Sequence, residues 1–103
     1  MEPIHPGEVL AEEYLKPLEI DVRQAAEAMA VPGRRLREIV DGRRAITPDI
    51  ALRLGRFLQN SPLFWLGLQA RFDVAVEREK LGERLLDEVA IGVTDPERAE
   101  IPG

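Results

Sequence analysis

The sequence contains no cysteine and only one histidine. Without thiols, neither a disulfide framework nor a thiolate metal site can form, which suits a reducing compartment. A lone histidine, with no Ser/His/Asp or Cys/His set, no phosphate loop and no dinucleotide fingerprint, leaves little machinery for catalysis, so neither an enzyme nor a cofactor is expected. No apolar run approaches transmembrane length, and the opening Met1-Glu2-Pro3-Ile4 lacks the basic and apolar regions of a signal peptide. These absences predict a soluble, cytoplasmic protein with no membrane partner. Strand-like alternation, internal repeats and low-complexity stretches are missing too, which excludes a substantial sheet.

What the chain does have is 103 residues, enough to bury one core unaided. Its formal net charge of −5 argues at first against a polyanionic partner, because neutralising phosphates needs a basic footprint. The distribution of charge reverses that inference. Residues 1–21 hold one basic and six acidic groups, residues 22–56 eight and four, and residues 57–103 five and nine. A basic block thus lies between two acidic ones, and seven of its eight cations fall between Arg34 and Arg56.

Five helices follow from periodicity and punctuation. His5 takes the N-cap place before Pro6, and Val9, Leu10, Tyr14 and Leu15 recur at helical spacing until Lys16-Pro17. Asp21 caps a second helix from Val22 to about Met29, with Val22, Ala25, Ala26 and Met29 inward. After Ala30-Val31-Pro32, a third helix from Gly33 to Val40 buries Leu36, Ile39 and Val40, and Asp41-Gly42 stops it. Thr47-Pro48 opens a fourth, to about Leu58, with Ala51, Leu54, Phe57 and Leu58 as its core stripe. Ser61-Pro62 opens a fifth, through about Glu79, directing Phe64, Trp65, Leu68, Phe72 and Val76 inward. The organisation expected is an all-α domain over residues 1–80 and a C-terminal tail, residues 81–103, ordered by a partner or a second copy.

The second and third helices, of about eight residues each and joined by a turn of about three, have helix-turn-helix spacing. That geometry lays the third helix in the major groove of duplex DNA. Gly33, Arg34, Arg35 and Arg37 fall where bases are read, and an arginine can grip guanine O6 and N7 in a bidentate fork. Arg43 and Arg44 are placed for flanking phosphates, as are Arg23 and Gln24 at the start of the second helix. A solvated cationic face is the plainer reading. Against it, none of the four cations from Arg34 to Arg43 has an acid four positions before it, although Glu38 can pair backward with Arg34 or Arg35.

Three blocks sharpen this picture: His5-Pro6-Gly7-Glu8-Val9-Leu10, Asp41-Gly42-Arg43-Arg44-Ala45-Ile46-Thr47-Pro48-Asp49-Ile50-Ala51-Leu52-Arg53-Leu54, and Ser61-Pro62-Leu63-Phe64-Trp65-Leu66-Gly67-Leu68-Gln69 with Phe72-Asp73. Over residues 4–78 the chain resembles the HigA-like (VapI-type) antitoxins of the Xre helix-turn-helix superfamily. The resemblance implies a lambda-repressor-like bundle and a homodimer that represses its own operon. It further implies neutralisation of a HigB-like toxin, a RelE-like, ribosome-dependent messenger-RNA endonuclease. An Xre-type regulator with no toxin is the alternative. Two positions depart from the pattern: Val22 stands where many such proteins carry a phosphate-touching glutamine, and Ala30 replaces the usual turn glycine, at a cost in strain if φ is positive there.

His5 with Glu8, Glu12 and Glu13 fits a capped, solvated helix better than a metal or acid-base cluster, for want of typical zinc ligation. With the resemblance in view, those three glutamates become candidates for docking a basic toxin. Phe64, Trp65 and Phe72 follow the helix stripe and read as core rather than as a platform for stacking bases. A two-fold dimer would space its recognition helices one DNA turn apart and require a palindromic operator.

Overall fold

A computed structural model describes residues 2–92 of the chain. Six α-helices are present among them: α1 (Pro6–Val9), α2 (Val22–Met29), α3 (Gly33–Val40), α4 (Pro48–Leu58), α5 (Pro62–Leu81) and α6 (Arg84–Glu88). The expected five are all there. The sixth, α6, falls in the stretch read from sequence as tail, and residues 93–103 of that tail lie outside the described residues.

The chain enters α1 through His5, whose extended backbone frees its Nδ1 to accept the Gly7 N–H at 2.9 Å. The cap can form only while Nδ1 is unprotonated. Burial holds the imidazole pKa below its ordinary 6.5, and the neighbouring Asp73 carboxylate only partly opposes this. The Phe72 ring stands edge-on at 4.8 Å, and the Gly42 backbone closes the site from the turn after α3. Because the unfolded imidazole takes a proton more readily than the folded one, stability holds above pH 6.5 and is lost as pH falls from there towards the folded value. The thermal midpoint should drop on going from about pH 7 to about pH 5, and His5→Asn, which keeps a cap but does not titrate, should flatten that drop. An equally steep dependence in the variant would assign it to other groups.

Past Val9 the helix does not stay α, as the sequence reading had it. Leu10–Leu15 is a π-helical stretch, and the Lys16 N–H donates to the Ala11 carbonyl at 3.0 Å. Bonds of the i→i+5 kind bring residues five apart onto one face, so Leu10 and Leu15 are both buried while Glu12 and Glu13 stay in water.

Asp21 and Gln24 form a reciprocal capping box at the start of α2: the Gln24 N–H donates to Asp21 Oδ1 at 2.7 Å, and the Asp21 N–H donates to Gln24 Oε1 at 2.9 Å. The helix stops at Ala30, in the left-handed region at φ 56°. There the Val31 N–H reaches back to the Ala26 carbonyl at 2.9 Å, and Val31 closes over the core. Arg53 of α4 supports this end, donating through Nη1 to the Met29 and Ala30 carbonyls at 2.9 and 3.3 Å. The strain expected for alanine at a positive φ is thus present. Glycine would relieve about 1–2 kcal/mol of it but adds about 0.4–1 kcal/mol of unfolded-state entropy, leaving about 0.5–1 kcal/mol. Ala30→Gly should therefore raise the melting midpoint by roughly 4 °C; a fall would show that the chain does not strain there.

The core joins Leu10 and Leu15, Ala25, Ala26 and Met29 of α2, Leu36 and Ile39 of α3, Ile46, then Ile50, Ala51 and Leu54 of α4 and Trp65 of α5. Trp65 donates its indole N–H to Asn60 Oδ1 at 2.9 Å and lies 5.2 Å from the Tyr14 ring. Phe64, expected inward, is 40% exposed instead, because it leans edge-on against Trp65 from outside the core. Val22, Val40, Phe57, Leu58, Leu68, Phe72 and Val76 are half-buried rather than sealed. Gln69, 6% exposed, is the polar exception: its Oε1 accepts the Ile46 N–H at 2.8 Å and its Nε2 donates to Asp73 at 2.9 Å. Through that amide, α5 holds the loop between α3 and α4.

Candidate nucleic-acid interface

α2 and α3 have the bounds read from the sequence, so the two-helix unit stands as expected. Beside the buried Leu36 and Ile39, backbone contacts hold α3 against the rest. Gly7 of α1 lies so close to the Ile39 carbonyl that a Cβ there would overlap it, and Gly42, at φ 79°, ends the helix. The Arg43 N–H then bonds to the Glu38 carbonyl at 2.8 Å, folding the loop back alongside α3.

The arginines divide by environment. Arg34 projects fully, its side chain 93% exposed, and Arg37 is exposed with no ion pair among the described residues. Gly33 opens the helix on bare space, with nothing near enough to meet an added Cβ. Arg35 is half-buried and leans towards the start of α4, with its Nε enclosed and unpartnered. There the Arg53 hydrogen bond, assisted by both arginine charges, holds the Asp49 carboxyl below its usual range against the opposing effect of desolvation. Arg23 makes a surface pair with Glu27 at 3.3 Å, and Gln24 is occupied by its capping box.

Glu38 is the acidic member of the face. Its side chain is 21% exposed; Oε1 takes Arg34 Nε at 3.2 Å, and Oε2 takes the Arg44 guanidinium at 3.1 Å. The hydrogen bond from Arg44 is the largest reason that its carboxyl sits below the usual range, and partial desolvation opposes it. The pairing with Arg34 was legible from the i, i+4 spacing. The pairing with Arg44, six residues on, exists only because the loop folds back. Arg43 pairs with Asp41 at 3.3 Å.

Elsewhere Glu8, Glu12 and Glu13 are all exposed on the first helix, and Glu12 pairs with Lys16 at 2.7 Å. With His5, Lys16, Asp41 and Gly42, Glu8 and Glu12 line a shallow groove between that helix and the end of α3. Among the described residues no three His, Cys, Asp or Glu side chains are grouped to hold a metal, and no helix is long and apolar enough to cross a membrane. Arg53 had not been singled out from sequence. Its i, i+4 pairing with Asp49 was visible there, but its grip on the end of α2 was not.

No protein-family model matches the chain. Among curated proteins it is 42% identical over 79 residues to Virulence-associated protein I of Dichelobacter nodosus, an alignment spanning 77% of this chain and 73% of that one. Among solved structures it superposes with TM-score 0.84 on an addiction module antidote protein of the HigA family from Coxiella burnetii, at 42% identity over 88% of this chain and 99% of the other. The antitoxin HigA of Pseudomonas aeruginosa, solved with the higBA promoter, matches with TM-score 0.86 and 34% identity, over 89% and 100%. The two solved relatives are thus an addiction module antidote protein of the HigA family and an antitoxin solved with promoter DNA. With the helix pair, its arginine face and these likenesses together, the chain belongs to the HigA-like antitoxins of the Xre helix-turn-helix family.

Proposed function

We propose that this protein is a sequence-specific DNA-binding antitoxin that represses its own operon and neutralises a RelE-like, messenger-RNA-cleaving toxin. The observation that carries the DNA half is the exposed arginine edge of α3, on the helix that a helix-turn-helix lays in the major groove. The Pseudomonas aeruginosa relative, solved with promoter DNA, supports the same half. Arg34, Arg37 and, from its half-buried position, Arg35 serve base edges, with Gly33 allowing close approach. Arg43 and Arg44 serve phosphates, joined by Arg23 and by the free amide hydrogens of Gln24. The protein acts in the cytoplasm as a homodimer whose recognition helices lie about 34 to 36 Å apart, matching a palindromic operator. Residues 1–80 form the DNA-binding domain, and the tail from residue 81, which already carries α6, serves to meet a partner or a second copy.

The toxin half rests on family membership and on the exposed acidic groove bordered by Glu8 and Glu12, to which Glu13 adds charge. A toxin that must itself approach RNA is expected to present basic groups to it. Reversing all three charges should abolish capture of the toxin, sought as the product of the neighbouring gene, and undiminished capture would remove these residues from the docking surface.

Gel shifts on the chain's own promoter, run across a salt series with and without that neighbouring protein, test the whole reading. A promoter-specific complex is expected, and the absence of any would end the repressor assignment. If no toxin co-purifies while the shift persists, the protein is an Xre-type regulator alone.

A further inference from the structure

The acidic member of an otherwise basic reading face is unusual in its position. Glu38 sits on α3 itself, three-quarters covered, and grips two arginines of different duty: Arg34, which stands at the base edges, and Arg44, which stands at the flanking phosphates. Resting on the proposed DNA-binding function, we propose that Glu38 is a specificity-setting residue, an internal competitor with DNA for both arginines.

Two acceptor oxygens three ångströms from two guanidinium groups reproduce what DNA would offer, a base edge on one side and a phosphate on the other. Transfer of Arg44 from carboxylate to phosphate exchanges one anion for another on any duplex. Transfer of Arg34 is compensated only where a base presents acceptors of matching geometry. On a random duplex Arg34 stays with Glu38, because leaving it would gain no matching acceptors. The cost of releasing Arg34 therefore falls on the promoter, where Arg34 leaves, and not on a random duplex, where it stays, so Glu38 moderates cognate affinity and narrows its lead over random sequence. The neighbouring acids do not share this arrangement. Among the described residues Asp41 holds only Arg43, and Glu27 holds only Arg23 on α2.

Glu38→Gln keeps the shape and removes the charge. By fluorescence anisotropy against a promoter duplex and a scrambled duplex of equal length, affinity for the promoter duplex should rise about three- to tenfold. Affinity for the scrambled duplex, where only Arg44 is released, should rise by about twofold or less, so the discrimination ratio rises. A purely structural role predicts the opposite sign, weaker binding to both duplexes with a lower melting midpoint. In an Arg34→Ala background the same substitution should no longer alter the ratio. Glu27→Gln, an equal change of charge, should move both affinities together. If wild-type protein selects the promoter and Glu38→Gln leaves the ratio unchanged, the inference fails and the repressor reading stands. If wild-type protein does not select the promoter, the repressor reading itself fails. Should Glu38→Gln not fold, the Nε–H resonances of wild-type protein decide: both Arg34 and Arg44 should shift on the promoter, but Arg44 alone on the scrambled duplex. Equal shifts of Arg34 on both would overturn the proposal.

Discussion

Gly7→Ala is expected to lower the melting midpoint by roughly 12 to 24 °C, the shift that a loss of about 3 kcal/mol gives in a domain of this size. The change is one methyl group. At this position the methyl would overlap the Ile39 carbonyl oxygen and stand 2.7 Å from its carbon, against backbone that cannot rotate aside. Either α1 must slide off α3 or the last turn of α3 must open, and both routes break what holds the recognition helix in place. The His5 cap gives no relief, because its Nδ1 bonds to the Gly7 N–H itself. Promoter binding should weaken alongside stability. A midpoint within about 3 °C of wild type would show that the two helices are not in backbone contact.

Arg37→Ala is expected to weaken promoter binding by about 10- to 100-fold while leaving a random duplex within about threefold, the signature of a lost bidentate base contact. Arg37 is chosen over Arg34 because it has no internal partner among the described residues to offset what it gains on DNA. Arg44→Ala should behave differently. It should lower affinity for both duplexes alike and reduce the slope of log K against log salt by about one. Quantitative titrations of the three proteins on the two duplexes at several salt concentrations separate the roles. Equal losses on both duplexes for Arg37→Ala would remove it from base reading.

The helix-turn-helix was legible in the sequence because its boundaries are written in residues with strong local preferences. Asp21 caps α2, Pro32 precedes α3, and Gly42 takes the left-handed turn that stops it. The first helix was harder to read. Val9, Leu10, Tyr14 and Leu15 satisfy an α-helical template loosely, and nothing local announces that Leu10 and Leu15 share a face through π-type bonds. Gln69 was passed over as one polar residue inside an apolar stripe, because its partners, Ile46 and Asp73, include one 23 positions away. Similar limits apply at the interface. The arginines could be placed from helix spacing, but Arg35 turns towards α4 and Arg44 turns back to Glu38 for tertiary reasons that pattern does not encode.

Trp65 gives the molecule an optical property of its own. It is the sole indole, sealed in the core against Tyr14 and bonded to Asn60. Its emission therefore reports on one event, the loosening of the junction between the first helix and α5, where water would reach a ring now shielded from it. Unfolding should shift that light to the red, and DNA arriving at Arg34 and Arg37, which are not among the ring's neighbours, should leave it unchanged. A single fluorophore thus separates loss of the scaffold from occupation of its reading face, without a label.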